Sequence, residues 1–148
     1  MAEMREPRSG RVAGSNQGVI EPLYFTREFR LDGAAPATAG NFGTPFFIAD
    51  DAYELVSVRE RHTTAGADAG AVTVMLKKVP SGTAPGSGTD MLSAGINLKA
   101  TANTNQSGSL SATVANIRLA ATDSVAAVLT GTPTSLAGVI IQTLWKRI

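Results

Sequence analysis

His62 is the only histidine in the chain, so any Ser-His-Asp arrangement would have to be built on it, with residues such as Ser57 and Asp68 as partners. No Gly-x-Ser-x-Gly turn is present to expose a serine nucleophile. His62 follows Arg61 and precedes Thr63-Thr64-Ala65-Gly66, a context that reads as the end of a strand and predicts an exposed loop histidine. The chain has no cysteine, which removes thiolate nucleophiles, disulfides and zinc-thiolate sites together. Asp50, Asp51 and Asp68 are hard oxygen ligands that would suit calcium if their loops met, but the spacing of a helix-loop-helix calcium site is missing. A carboxylate pair for glycoside hydrolysis could be drawn from Asp50, Asp51, Glu54 and Glu60, with nothing to single out a raised-pKa acid among them. The glycines of Gly82-Thr-Ala-Pro-Gly-Ser-Gly88 are not spaced as a phosphate-binding loop. The expectation is a protein that is not an enzyme, with no catalytic residues, no cofactor and no bound metal.

The elements that carry these residues read as strands. Tyr53 to Arg61 places Leu55, Val56 and Val58 in a core and leaves it through Arg59, Glu60 and Arg61. Ala71 to Val79 alternates Val72, Val74 and Leu76 with Thr73, Met75 and Lys77. Further runs are Pro45 to Ala49, Met91 to Leu98, Gly108 to Val114, Ile117 to Ala120, Ser124 to Leu129 and Gly138 to Trp145. Ser124 to Leu129 is compatible with a short helix, but a Val-rich run of this length is better as a strand. Pro80 to Gly88 cannot hold a helix and reads as a mobile loop. The fold class is all-β: a jelly-roll-like β-sandwich of about eight strands over residues 44–148, although a fibronectin-like or immunoglobulin-like sandwich would show similar alternation.

Two segments precede that domain. Residues 1–22 mix arginines and glutamates with Pro7 and several glycines and show no periodicity, so they are expected to form an extended N-terminal arm. Residues 23–43 hold a strand, in which Leu23, Phe25, Phe29 and Leu31 share a face with Arg27 as the exception, and then a flexible connection beginning at Asp32-Gly33. The strand could pair with its own domain or with another chain. The aromatic cluster of Tyr24, Phe25, Phe29, Phe42, Phe46 and Phe47 is expected to pack as core.

Composition narrows the partners. A formal charge of +1 offers no broad field for phosphates, so nucleic acid is not expected. No apolar run of about 18 residues is available to span a bilayer, and the opening residues lead into Gly, Ser and Asn in place of a secretory signal, so neither a membrane nor export is expected. From His62 to Ile148 only 9 of 87 residues are Asp, Glu, Lys or Arg, which leaves outward strand positions to small neutral side chains that suit a subunit interface.

Three runs, Asp50-Asp-Ala-Tyr-Glu-Leu-Val-Ser-Val58, Thr64-Ala-Gly-Ala-Asp-Ala-Gly-Ala-Val-Thr-Val74 and Gly82-Thr-Ala-Pro-Gly-Ser-Gly-Thr-Asp-Met-Leu92, resemble small jelly-roll structural proteins of tailed bacteriophages. Ile96-Asn-Leu-Lys-Ala-Thr-Ala-Asn-Thr104, Leu119-Ala-Ala-Thr-Asp123 and the closing strand Val139 to Leu144 extend the resemblance over residues 44–148. The resemblance implies a virion protein made in the host cytoplasm, most like the decoration (cement) proteins that sit as homotrimers on the outer surface of the capsid and bind the major capsid protein. The arm, with Arg5, Arg8 and Arg11, would then reach across capsid subunits. The strand, with Tyr24, Phe25, Arg27 and Phe29, would augment a sheet of a neighbour or of its own domain. Tail-fibre and head-fibre domains that bind receptors or carbohydrates share the fold, and in that reading the loops Arg61 to Gly70 and Pro80 to Gly88 form the recognition surface.

Overall fold

A computed structural model describes residues 23–35 and 43–148. The arm of residues 1–22 and residues 36–42 of the connection lie outside the described residues. Ten strands form: β1 Tyr24–Ala34, β2 Gly43–Ile48, β3 Tyr53–Arg61, β4 Thr73–Val79, β5 Thr89–Asp90, β6 Ile96–Asn97, β7 Gln106–Gly108, β8 Arg118–Leu119, β9 Ser124–Thr130 and β10 Ala137–Arg147. A four-residue helix, α1, spans Val114–Ile117.

The strands make two antiparallel sheets. One, here the charged sheet, runs β1-β10-β3-β7 with β8 also on β3; the other, the covered sheet, runs β2-β9-β4-β5 with β6 also on β4. β5 and β6 are two pieces of one interrupted strand along β4, because Met91 and Leu98 continue the ladder by donating to the carbonyls of Leu76 and Val72, at 2.9 Å each. β7 and β8 interrupt another along β3 in the same way. Merging each pair leaves eight strands that cross between the sheets at every connection except the one from β4 to β5, which stays in the covered sheet, and this is the winding of a jelly roll. β1 belongs to this body, hydrogen-bonded to β10 in unbroken register from Tyr24↔Lys146 to Leu31↔Val139.

The core lies between the sheets and is built as period-two spacing requires. Val72, Val74 and Leu76 meet Leu55, Val58, Val139, Ile141 and Trp145, all buried. The aromatic residues gather at one end, where Phe47 lies 5.4 Å from Trp145 and 5.9 Å from Tyr53 between ring centroids. Tyr24 is the exception, exposed on the outer face, and Phe42 lies outside the described residues.

Three segments depart from the sequence reading. Met91 to Leu98 is not one strand: Met91, Leu92, Ile96 and Leu98 are buried, but Ser93 to Gly95 bend away between β5 and β6. Gly108 to Val114 leaves the sheet at Gly108, and Val114 begins α1 with its side chain half-exposed. Pro80 to Gly88 holds a single 3-10 turn, Pro85–Ser87, because proline at a first helical position loses no needed donor. Ser124–Thr130 is a strand, as its length suggested.

Candidate interaction surface

The two sheets expose different outer faces. On the covered sheet the Pro85–Ser87 turn packs against β2, β4 and β9 and leaves Ala126 fully buried. Gly88 brings the loop down against β4, where a Cβ would stand 2.6 Å from the Lys78 carbonyl oxygen, so only glycine fits this approach. On the charged sheet the outward residues are Thr26, Glu28 and Arg30 on β1, Ile140, Gln142, Leu144 and Lys146 on β10, and Glu54, Arg59 and Arg61 on β3, and no described element lies over them.

Most charges here are satisfied locally. Glu54 accepts from Arg118 Nε at 2.7 Å and Lys146 Nζ at 2.9 Å, and those two hydrogen bonds hold its carboxyl below the usual range. Arg147 pairs with Asp51. Asp50 accepts from the Tyr53 hydroxyl at 2.6 Å, which lowers the Asp50 carboxyl and raises the Tyr53 phenol. Arg59 and Arg61 differ: among the charged side chains of the described residues, they alone make neither a hydrogen bond nor an ion pair. They flank a shallow cavity of about 160 Å³ completed by Glu60, Asn105, Ile140 and Gln142. Two unpaired guanidiniums stand beside the side-chain amides of Asn105 and Gln142, and a guanidinium is the donor that pairs with a carboxylate in a two-pronged fork.

Behind this cavity is a buried polar cluster that corrects the sequence reading. Glu60 and His62, expected at the surface, are 1% and 0% exposed. The cause is a β-bulge: Trp145 opposes Leu55 and Leu144 opposes Ser57, so Val56 is an extra residue. It is pushed outward, to 37% exposure, and the inward phase moves from Tyr53 and Leu55 to Val58, Glu60 and His62. His62 Nδ1 lies 2.9 Å from Glu60 Oε1, Nε2 lies 3.0 Å from the Ala100 carbonyl, and Gln106 donates to Glu60 Oε2 at 2.7 Å. A carbonyl only accepts, so Nε2 carries a proton, and one further proton is held between Nδ1 and the carboxylate. The pair is neutral overall, which makes its burial tolerable. Burial pushes the Glu60 carboxyl up, opposed by the hydrogen bond from His62. The His62 carbonyl also accepts from Asn103 N at 2.8 Å, so the cluster fastens the β6–β7 loop over this end of the sandwich.

The residues singled out from sequence divide clearly. Arg5, Arg8 and Arg11 lie outside the described residues. Tyr24 is exposed. Arg27 lies over the rings of Phe25 at 4.6 Å and Phe47 at 5.2 Å, so its departure from the apolar pattern is a cation–π lid on the core edge. Phe29 is 6% exposed and committed to the core, which removes it from a partner-facing set. Ser57 and Asp68 do not join His62, whose ring nitrogens are both engaged elsewhere. Asp50, Asp51 and Asp68 are likewise not gathered: Asp68 accepts from Gly70 N, and the described residues hold no cluster of three metal-ligating side chains. The loops Arg61 to Gly70 and Pro80 to Gly88 are both fastened down, the first by Gly66 N to Leu98 O and Ala67 N to Thr134 O. No described helix is long and apolar enough to cross a membrane.

No protein-family model matches the chain, and no curated protein sequence matches it. Two solved structures are similar in fold. A chain of the cyanophage Pam1 capsid asymmetric unit aligns over 86% of this chain and 86% of its own length, with 8% identity and a TM-score of 0.51. A chain from the disulfide-linked pili of Bacillus endospore appendages aligns over 86% of this chain and 91% of its own, with 17% identity and a TM-score of 0.39. The first likeness agrees with the all-β, two-sheet architecture described above.

Proposed function

We propose that this chain is a structural component of a bacteriophage virion, a decoration (cement) protein that binds the outside of the head as a homo-oligomer, a trimer by its resemblance, and stabilises contacts between major capsid subunits. The observation that carries this reading is the asymmetry of the sandwich: one outer face is covered in part by its own loop, over Ala126, and the other is bare, with Arg59 and Arg61 unpaired at a cavity. A surface of this kind suits a fixed protein partner with an acidic side chain to place between the guanidiniums. The likeness to a chain from a cyanophage capsid supports a role in the shell. A non-catalytic role is supported by His62, which is buried with both ring nitrogens occupied.

The test is stoichiometric. Purified protein mixed with expanded heads should bind saturably, at a fixed ratio to the major capsid subunit, and heads lacking it should open at a lower temperature. Arg59→Glu with Arg61→Glu should abolish binding while leaving the fold intact. Heads that neither bind the protein nor gain heat resistance from it would overturn the proposal.

A further inference from the structure

A jelly roll of this kind has four sheet edges, and three of them are blunted. β5 and β6 are two residues each, and β7 and β8 are three and two, too short to template another strand. β2 is interrupted by Pro45 and by a bulge between Pro45 and Phe47. Among the described residues, β1 lacks these defences from Tyr24 to Leu31, its own bulge falling only past that stretch, between Leu31 and Ala34. It runs for 11 residues, contains no proline, and keeps one register from Tyr24 to Leu31.

The direction of its backbone groups follows from one contact. Arg147 N donates to Leu23 O at 3.0 Å, so residue 23 faces β10, and in an antiparallel ladder every second residue does the same. Residues 23, 25, 27, 29 and 31 therefore bond inward, and Tyr24, Thr26, Glu28 and Arg30 turn their N–H and C=O groups to an edge that no other described strand pairs with. The Thr26 carbonyl accepts from the Arg27 guanidinium at 2.9 Å. Its second lone pair remains available.

We infer that β1 is a self-complementary edge and that its partner is β1 of a second copy, joined antiparallel about a two-fold axis through Phe29. The inference deepens the reading given under Proposed function by naming the contact between copies. In this register the edge-facing residues of the regular stretch oppose one another in hydrogen-bonded pairs: Glu28 meets Arg30 of the second copy and Arg30 meets Glu28, up to the bulge that begins past Leu31. The two neighbouring registers that keep the bonding pattern fail on charge. Centring on Glu28 sets two carboxylates face to face, and centring on Arg30 sets two guanidiniums together. Within one chain Arg30 reaches Glu28 and Asp32 only at 3.9 and 3.8 Å. Directly opposed cross-strand residues are closer than residues two apart on one strand, at about 4.5–5.5 Å between Cβ atoms, and their charges pair better. An isologous contact closes two copies and no more, so within a shell of trimers it would link each trimer to its neighbours.

Charge exchange tests this by the step that doubles the mass in analytical ultracentrifugation. Glu28→Arg and Arg30→Glu each turn two attractive pairs into two repulsive ones and should weaken that step by about tenfold or more. The double variant, Glu28→Arg with Arg30→Glu, restores complementarity and should return to within about threefold of the wild type. Thr26→Pro removes an edge donor without changing charge and should abolish the step while circular dichroism stays β. Single variants that associate like the wild type, a double variant no better than the singles, or a wild type with no mass-doubling step at millimolar concentration would each overturn the inference. Loss of self-association with intact head binding separates this inference from the head-binding proposal, and the opposite result does so in the other direction.

Discussion

The charged and covered sheets share a core and a strand count but treat water differently. The covered sheet buries Ala126 beneath the Pro85–Ser87 turn and has an edge broken by Pro45; the charged sheet leaves its outer residues bare and ends in β1, which keeps one register from Tyr24 to Leu31. The lesson is that a chain with few charges does not thereby have a neutral interface. The nine charged residues after His62 are used internally: Lys77 pairs with Asp90 at 2.5 Å, Lys78 reaches the Ala115 and Arg118 carbonyls, and Lys99 reaches Gly70 O. The unpaired charge sits on β3, before that segment, as Arg59 and Arg61.

The largest effect is expected on the charged sheet itself, from two adjacent residues on opposite faces. His62→Ala strands the buried Glu60 carboxylate and should cost about 3–5 kcal/mol at neutral pH, while Arg61→Ala should stay within about 0.5 kcal/mol, both measured by urea unfolding. The pH dependence has a fixed sign. Burial raises the Glu60 carboxyl in the folded state, so its protonated form favours folding below the unfolded value and that support is lost as pH rises through the folded value. The His62→Ala deficit should therefore shrink on acidification.

On the covered sheet, Gly88→Ala forces the loop off the Lys78 carbonyl and should cost about 1–2 kcal/mol. It should also open the 80–88 segment to proteolysis while leaving head binding unchanged. If it removed binding, the covered face would be the working one.

Smaller effects sharpen the electrostatics of the charged sheet. Glu54, lowered first by Lys146 and then by Arg118, stabilises the fold above its unfolded value, and that stability is lost as pH falls through the lower folded value. Glu54→Gln should flatten the acid limb of the stability curve below about pH 4, with a change of no more than about 1 kcal/mol. The smallest change is spectroscopic: Asp50→Ala removes the acceptor that raises the Tyr53 phenol, so its absorbance titration should move down in pH.

Much of the sandwich was legible because alternation is a direct consequence of a strand with one wet face. Thr73–Val79 and Ala137–Arg147 show it. Short pairings were not legible: Met91 to Leu98 is apolar because it is buried, yet it bends between two-residue strands, and burial alone does not distinguish the two cases. The Glu60–His62 pair was hidden for a sharper reason. One bulge at Val56 shifts the inward phase by a residue, and nothing in Leu-Val-Ser-Val announces it. Arg59 and Arg61 were visible as charges leaving a strand, but their lack of partners is a property of the assembled sheet. The free edge of β1 likewise depends on which strands lie beside it, which its own residues do not state.

Hydroxyl-radical footprinting of the protein free and bound to expanded heads tests the central asymmetry most directly. Tyr24, Ile140 and Leu144, on the charged sheet, should lose reactivity on binding, while Ile48 and Met75, on the covered sheet, keep theirs. Protection of Ile48 and Met75 with Tyr24 and Leu144 unchanged would contradict the account.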